Sequence, residues 1–522
     1  MALIYQAPVN MVELAILETL IRDDQEWQRF VLKARNYYNG DQVTFLTERM
    51  REYLNLTGNA TGAVDDFHLN IVQTVVVAVL DELSVIGFDT SETADMDGSK
   101  EQAQWARAVW DANKMNILQH NIHEAALRDS ESFVMVDFDE TTKLPRLTWH
   151  EKFLDGTVGG DGYGIWFKYP DNDWTQAPLA AVKEWKETST RNGMPYTFRR
   201  RNVYYPDRIE KYYRDPNWVP YLESELDAKG NEINKAWPIP WVDAQGKPLG
   251  IPVICFRNFG NVPEAKEAFP GQDATNKLFI DVLAEADAAF HSYFLTGAHA
   301  TTDGKPELAD GSNRITIAPM TVLSTTNPDA TWTLIEGGDP TKLMQTLKEV
   351  ILVVAQITGT PVSYFTITKQ IAGADTLKGQ DKPLSKKVEK RKDIFGQSWE
   401  DVLTMARRVA NTFGAAGLDE TESFYTIWKQ VFDLETIKMM REVLGLPKET
   451  LWRLYGLSEE QIQAAKETEE YKSIQFNQDM LALTSGVMPG WMFLMRNHGM
   501  TEEAAKAQIA ETRLQRVPKV VQ

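Results

Sequence analysis

Residues 270–297 read PGQDATNKLFIDVLAEADAAFHSYFLTG, and residues 339–361 read DPTKLMQTLKEVILVVAQITGTP. Both carry apolar residues at helical spacing between start and stop signals. Pro270-Gly271 and a capping Asp273 open the first stretch, so the spacing predicts a helix over 272–297. Asp339 and Pro340 open the second, since a proline in the first turn loses no hydrogen bond. Gly359-Thr360-Pro361 closes it. Between them, residues 298–338 carry short strand and turn signals at 314–317, 320–323 and 331–335, ended by Gly337-Gly338-Asp339-Pro340. Two long helices bracketing a small insert are the frame of an α+β chain.

Downstream, residues 362–380 have little periodicity, and a long charged helix runs over 384–413. From Leu434 the chain reads as helical, with turns at Gly445-Leu446-Pro447 and Gly456-Leu457-Ser458. Upstream, Leu14, Leu17, Ile21, Phe30 and Leu32 predict one helix over 12–38, stopped by Asn39-Gly40. A second helix is expected over 67–83, where Ile71, Val75, Val79 and Leu83 lie four apart. Its VVVAV centre is β-branched, the composition of a strand, but length and four-residue spacing favour helix. Residues 89–100 read as a loop. A third helical region covers 101–128, with Trp105 and Trp110 in the core. From 132 to 258 the texture changes to FVMVDFDE, PRLTWH, GIWFKY, NVYYPDRIEKYYR and PVICFRN, with Gly, Pro, Asn and Asp clusters between them. That pattern predicts a mainly antiparallel β region. WPIPW (residues 237–241) fits a connecting loop. There is no internal repeat and no low-complexity tract.

The chain has 522 residues, enough for roughly three domains. Lys and Arg number 55 against 74 Asp and Glu, a net charge of −19. That argues against a surface that grips DNA or an anionic membrane throughout, because phosphate binding needs clustered cations. A single cysteine, Cys255, excludes an intramolecular disulfide and points to a reducing compartment. The N-terminus lacks a secretory pattern. The longest apolar runs fall far below the ~20 residues that span a bilayer.

Catalytic signatures are missing. The sequence holds no GxxxxGK(S/T), no strand–GxGxxG–helix, no HExxH and no GxSxG. His120 and His123 share a helix face at zinc-like spacing but have no third ligand, so surface or interface histidines are expected. Cys255 lies in an apolar run and reads as an inert buried thiol. Asp137 and Asp139 share a strand face, which reads as solvated rather than catalytic. Tyr204, Tyr205, Tyr212 and Tyr213 could stack bases; at strand spacing, core and cross-strand roles are favoured. No cofactor, metal site or enzymatic activity is expected.

One charge anomaly stands out. Between 369 and 392 the basic residues are Lys369, Lys378, Lys382, Lys386, Lys387, Lys390, Arg391 and Lys392. The acidic ones are Asp375, Asp381 and Glu389. Gly373 and Gly379 suit a flexible loop in the first half. Such a segment is either a solvated helix face or a mobile loop and helix root presented to phosphate.

The order of these elements resembles the portal proteins of tailed bacteriophages, the head-to-tail connector family. ARNYYNGDQ (34–42) ends a long helix, and NIVQTVVVAVLDELSVIGF (70–88) is similar to the following helix and strand. PVICFRNFG (252–260) precedes the helix at 272–296, like the strand leading to a first stem helix. TGTPVSYF (358–365) is similar to the junction before a tunnel loop. GLPKETLWRLYGLSEEQI (445–462) resembles C-terminal crown helices. The order along one chain carries the resemblance, more than any single motif. Two features depart from the pattern: a loop rich in Lys and Gly, and a long segment at 215–248.

The resemblance implies an N-terminal wing over 1–271, a first stem helix over 272–299, a clip over 300–338 and a second stem helix over 339–358. A tunnel loop (366–382), tunnel helix and rest of the wing would fill 359–433, and a crown 434–522. Lys369, Gly373, Lys378, Gly379 and Lys382 would face the DNA channel. Lys386, Lys387, Lys390 and Arg391 would form the basic face of the tunnel helix. The implied assembly is a homo-oligomeric ring, usually of twelve subunits, at one capsid vertex of the virion, built in the host cytoplasm. Double-stranded DNA would pass through it. The implied partners are the terminase large subunit, head-completion or adaptor proteins, and the major capsid and scaffolding proteins, with no membrane. A capsid or scaffold-like protein and a DNA-processing enzyme are the competing classes.

Overall fold

The computed structural model describes residues 10–42, 69–90, 101–153, 164–191, 194–226, 232–234, 236–288, 292–296, 331–335, 340–365 and 374–429, with a few isolated positions beyond. The chain divides into two units, one of residues 1–95 and 99–428, the other of 96–98 and 429–522. The expected crown, and the expected clip apart from residues 331–335, lie outside the described residues.

Helices α1 (Met11–Asp23) and α2 (Gln25–Asn39) replace the single helix expected over 12–38. The break at Asp24 has a tertiary cause. Leu14, Leu17 and Ile21 enter one apolar core, while Ala34, Tyr37 and Tyr38 enter another. Asp24 also accepts the Trp166 indole N–H at 2.9 Å. Gly40 ends α2 at φ 83°, a left-handed cap where its amide reaches back into the last turn. Helix α3 (Ile71–Leu80) is capped by Asn70, whose side chain accepts the Gln73 amide, and strand β1 (Val85–Asp89) follows. Helices α4 (Glu101–Ala112) and α5 (Met115–Asp129) divide the expected third helix at Lys114, which adopts φ 55°.

The β region is antiparallel in every described pairing. Strands β2 (Glu131–Asp139), β3 (Leu144–Glu151) and β12 (Val253–Arg257) form a three-stranded sheet in the order β12–β2–β3. A larger sheet is built from β4 (Gly164–Lys168), β5 (Ala180–Arg191), β6 (Met194–Tyr204), β7 (Arg208–Asp215), β8 (Asn217–Pro220) and β11 (Ile239–Pro240). Strands β9 (Ser224–Leu226) and β10 (Glu232–Asn234) pair separately. Part of the expected WPIPW loop is therefore strand, since Ile239 and Pro240 pair with Ile209 and Arg208. Alternation along the larger sheet joins two cores. Ala181, Tyr204 and Ile209 enter the main core, while Val182, Val203 and Tyr212 pack with α1.

Helix α6 (Phe269–Ala288) starts before Gln272, so Asp273 is not its cap; its carboxylate accepts the Tyr37 hydroxyl at 2.8 Å. The expected helix to 297 ends early. Strand β13 (Ser292–Thr296) pairs with β14 (Thr331–Ile335), Tyr293 opposite Leu334 and Leu295 opposite Trp332. Each five-residue run needs the other to pair its backbone groups. Helix α7 (Pro340–Thr358) returns toward the start of α6, where a Cβ on Gly271 would meet Val354 Cγ2 at 2.2 Å. Helix α8 (Ala374–Gly414) runs through Pro383 and packs on the three-stranded sheet. It begins ten residues before the expected Leu384, so residues 374–382 are helix rather than loop. Strand β15 (Tyr425–Trp428) closes on β1.

Candidate functional site

The junction between α7 and α8 collects the charged segment. Thr358 ends α7 with its hydroxyl donating to the Val354 carbonyl at 2.8 Å, and Gly359 at φ 63° turns the chain. Lys387 of α8 donates to the freed Thr358 carbonyl at 2.9 Å, so a cation sits on the helix C-terminus. The same Lys387 pairs with Glu264 at 2.7 Å, and Arg391 pairs with its other oxygen at 2.8 Å. The Glu264 side chain is 1% exposed. Burial would raise its carboxyl, but Lys387 and Arg391 outweigh that and hold it below the ordinary range.

The basic face expected at Lys386, Lys387, Lys390 and Arg391 is thus two faces. Lys387 and Arg391, four apart, turn inward to Glu264. Lys386 and Lys390, also four apart, stay in solvent and continue through exposed Lys382. Lys382 and Lys386 form no ion pair among the described residues, and Lys390 lies 5.2 Å from the ring of exposed Phe259. Lys378 and Gly379 fall in the first turns of α8. Lys369 and Gly373 lie outside the described residues.

Helix α7 is apolar on two sides. Leu347, Val354 and Ala355 are buried, yet Met344, Leu352, Val353 and Ile357 are exposed, Ile357 by 59%. Water-facing apolar residues at Met344 and on the last two turns leave a helix without its full complement of neighbours.

The other sequence candidates resolve as structure. His123 is buried in the core, not at a surface or interface. Trp399 donates to its Nε2 at 2.9 Å, which places the ring proton on Nδ1, facing the Leu83 carbonyl at 3.2 Å. Burial pushes its pKa down to about 3. Neither nitrogen is open to a metal. Cys255 has its thiol pushed up to about 12, first by burial and then by Glu131, which keeps it protonated. Asp137 is exposed, and Asp139 caps its own turn by accepting the Thr141 amide at 2.8 Å. Tyr204, Tyr205 and Tyr212 are buried and Tyr213 is half-buried. Among the described residues no cluster of three or more His, Cys, Asp or Glu could hold a metal, and no helix is long and apolar enough to cross a membrane.

A cleft of about 730 Å³ between α1, β4 and the three-stranded sheet was not visible in the sequence. Lys152 pairs with Glu131 at 2.7 Å, Arg257 binds Glu131 at 2.8 Å, and Arg257 donates to the Tyr169 hydroxyl at 3.0 Å. These charges satisfy one another, so the cleft floor ties β2 to β12 and to the residues that follow β3 and β4 rather than offering a free group. The available signal was a charge at the end of each apolar run, Glu131 before SFVMV and Arg257 after VICF. Their partnership crosses more than a hundred residues.

No family model matches the chain, and no curated protein matches it in sequence. A solved structure titled "Neck of empty GTA particle computed with C6 symmetry" contains a chain similar to 80% of this one and 96% of its own length, at 12% identity and a TM-score of 0.36. At that similarity the likeness assigns neither fold nor function by itself.

Proposed function

We propose that this chain is the portal subunit of a tailed-phage-like particle, a ring at one capsid vertex through which double-stranded DNA enters and leaves. The observation that carries the reading is the α6–β13–β14–α7 excursion. Its two helices run out and back, a two-stranded ladder joins their far ends, and its returning helix keeps Leu352, Val353 and Ile357 in solvent. A second copy alongside would remove those side chains from water, and burying each fully is worth about 1.5–3 kcal/mol. Contacts of one face against a different face close into a ring when the rotation closes.

Charge supports the same reading. A channel that held phosphate along its length would stall a moving duplex. A chain of net charge −19 with one exposed lysine row on a long helix restricts contact to a narrow band. In this reading Lys382, Lys386 and Lys390, with Lys369 and Lys378, meet the backbone transiently. The clip, residues 300–338, meets the terminase large subunit and later the head-completion or adaptor proteins, and the outer surface meets capsid and scaffolding proteins. Twelve copies is the expected number. The chain itself performs no chemistry.

The test is negative-stain microscopy of the pure protein. Isolated rings with a central hole are expected, together with a light-scattering mass many times 59.2 kDa. Sheets, shells or a monomer at every concentration and salt would reject the assignment.

A further inference from the structure

Most charged side chains of the large sheet have an opposite charge beside them. Arg201 and Arg199 share Glu184, Arg200 holds Glu187 at 3.1 Å, and Lys211 holds Glu223. Lys183 on β5 is different. Its Nζ lies 3.2 Å from His150 Nε2 on β3 and 5.3 Å from the Trp185 ring. No carboxylate of the described residues lies within ion-pair distance of it. Lys183 is half-buried, so a reagent can reach an amine that water only partly solvates.

We propose that Lys183 is an acylation site, the amine of this chain that reacts first with a small acyl phosphate. His150 holds the amine, and the indole beside it supplies an apolar wall.

The reasoning is electrostatic. Burial without a compensating carboxylate disfavours the ammonium, and the Lys183 amine is pushed down to about 8. His150 is itself pushed down to about 4, first by burial and then by Lys183, so at neutral pH it is an uncharged neighbour. The other charges on this face are engaged elsewhere: Lys211, across the sheet on β7, with Glu223, and Arg200 on β6 with Glu187. A neutral amine can donate one N–H to Nε2 and keep its lone pair for attack. The nitrogen attacks the acyl carbonyl, a C–N bond forms, the C–O bond to phosphate breaks, and the departing phosphate takes the amine proton. The products are an amide and inorganic phosphate, and the lysine charge is lost. Desolvated lysines of this kind change pKa readily and are acetylation targets.

The experiment treats the full-length protein with limiting acetyl phosphate from pH 6.5 to 10 and quantifies peptides by mass spectrometry. At pH 7.5 Lys183 should acetylate about tenfold faster than exposed Lys386 and Lys390, since burial has pushed its amine toward the neutral form. Its rate should level off above pH 8–9, as its own amine loses the last of its proton. His150→Glu, which supplies the missing carboxylate, should bring the Lys183 rate down to theirs, and His150→Gln should preserve most of the advantage. A Lys183 rate equal to or below the exposed lysines at pH 7.5, a profile that rises without a bend, or indifference to His150→Glu would each overturn the proposal.

Discussion

At the residue scale, buried polar groups fix the core. His123 stacks on Phe395 at 5.2 Å and meets Trp399, which packs edge-on against Trp110 and Phe256, each at 4.7 Å. The folded state keeps this histidine neutral until about pH 3, whereas the unfolded chain binds its proton near 6.5. Its contribution is therefore fully present above pH 6.5 and is lost as pH falls from there toward 3. Between pH 6.5 and 4.5 that amounts to about 2 kcal/mol. Denaturant titrations at the two pH values should show this fall in the wild type and a smaller one in His123→Gln; equal falls would reject the account. Glu264 offers a second check. Its lowered carboxyl contributes stability above the unfolded value, lost as pH drops through the folded one. Glu264→Gln leaves Lys387 and Arg391 facing a neutral amide and should cost about 3–5 kcal/mol, read as a lower urea midpoint at pH 7.

Among elements, the crossing of α6 and α7 depends on a missing side chain. Gly271 lets Val354 approach to a distance no Cβ tolerates. Val354 is β-branched and stiff in a helix, so it cannot step aside cheaply. Gly271→Ala should destabilise by about 1–3 kcal/mol, as overpacked cores do. Calorimetry of Gly271→Ala with Val354→Ala should recover part of that loss, because the second change vacates the contested space. An additive pair of losses would mean that the helices do not cross there.

For the whole molecule, assembly and DNA passage should separate by mutation. Leu352→Ser, Val353→Ser and Ile357→Ser together change only exposed positions, so far-ultraviolet dichroism should match the wild type while the light-scattering mass collapses toward one chain. Rings that survive the triple change would exclude this face from the interface. The converse variant, Lys382→Glu, Lys386→Glu and Lys390→Glu, should form normal rings yet impair DNA packaging by like-charge repulsion. Unchanged packaging would make the row a solvated outer face.

Much of the local structure was legible because its causes are local. Pro340 and Gly359 mark the ends of α7, since a first-turn proline and a left-handed turn are decided within a few residues. The α+β order and the antiparallel texture of 132–258 follow from composition and spacing in the same way. The break at Asp24, the strand at 292–296 and the helical start of α8 did not follow. The first two depend on a partner distant in sequence: Trp166 for Asp24, and residues 331–335 for β13. The basic segment shows the division most plainly. The sequence places Lys386 with Lys390, and Lys387 with Arg391, on two stripes of one helix by the arithmetic of 3.6 residues per turn. Which stripe is buried was settled by Glu264, more than a hundred residues away, because a carboxylate in the interior must be met by charge.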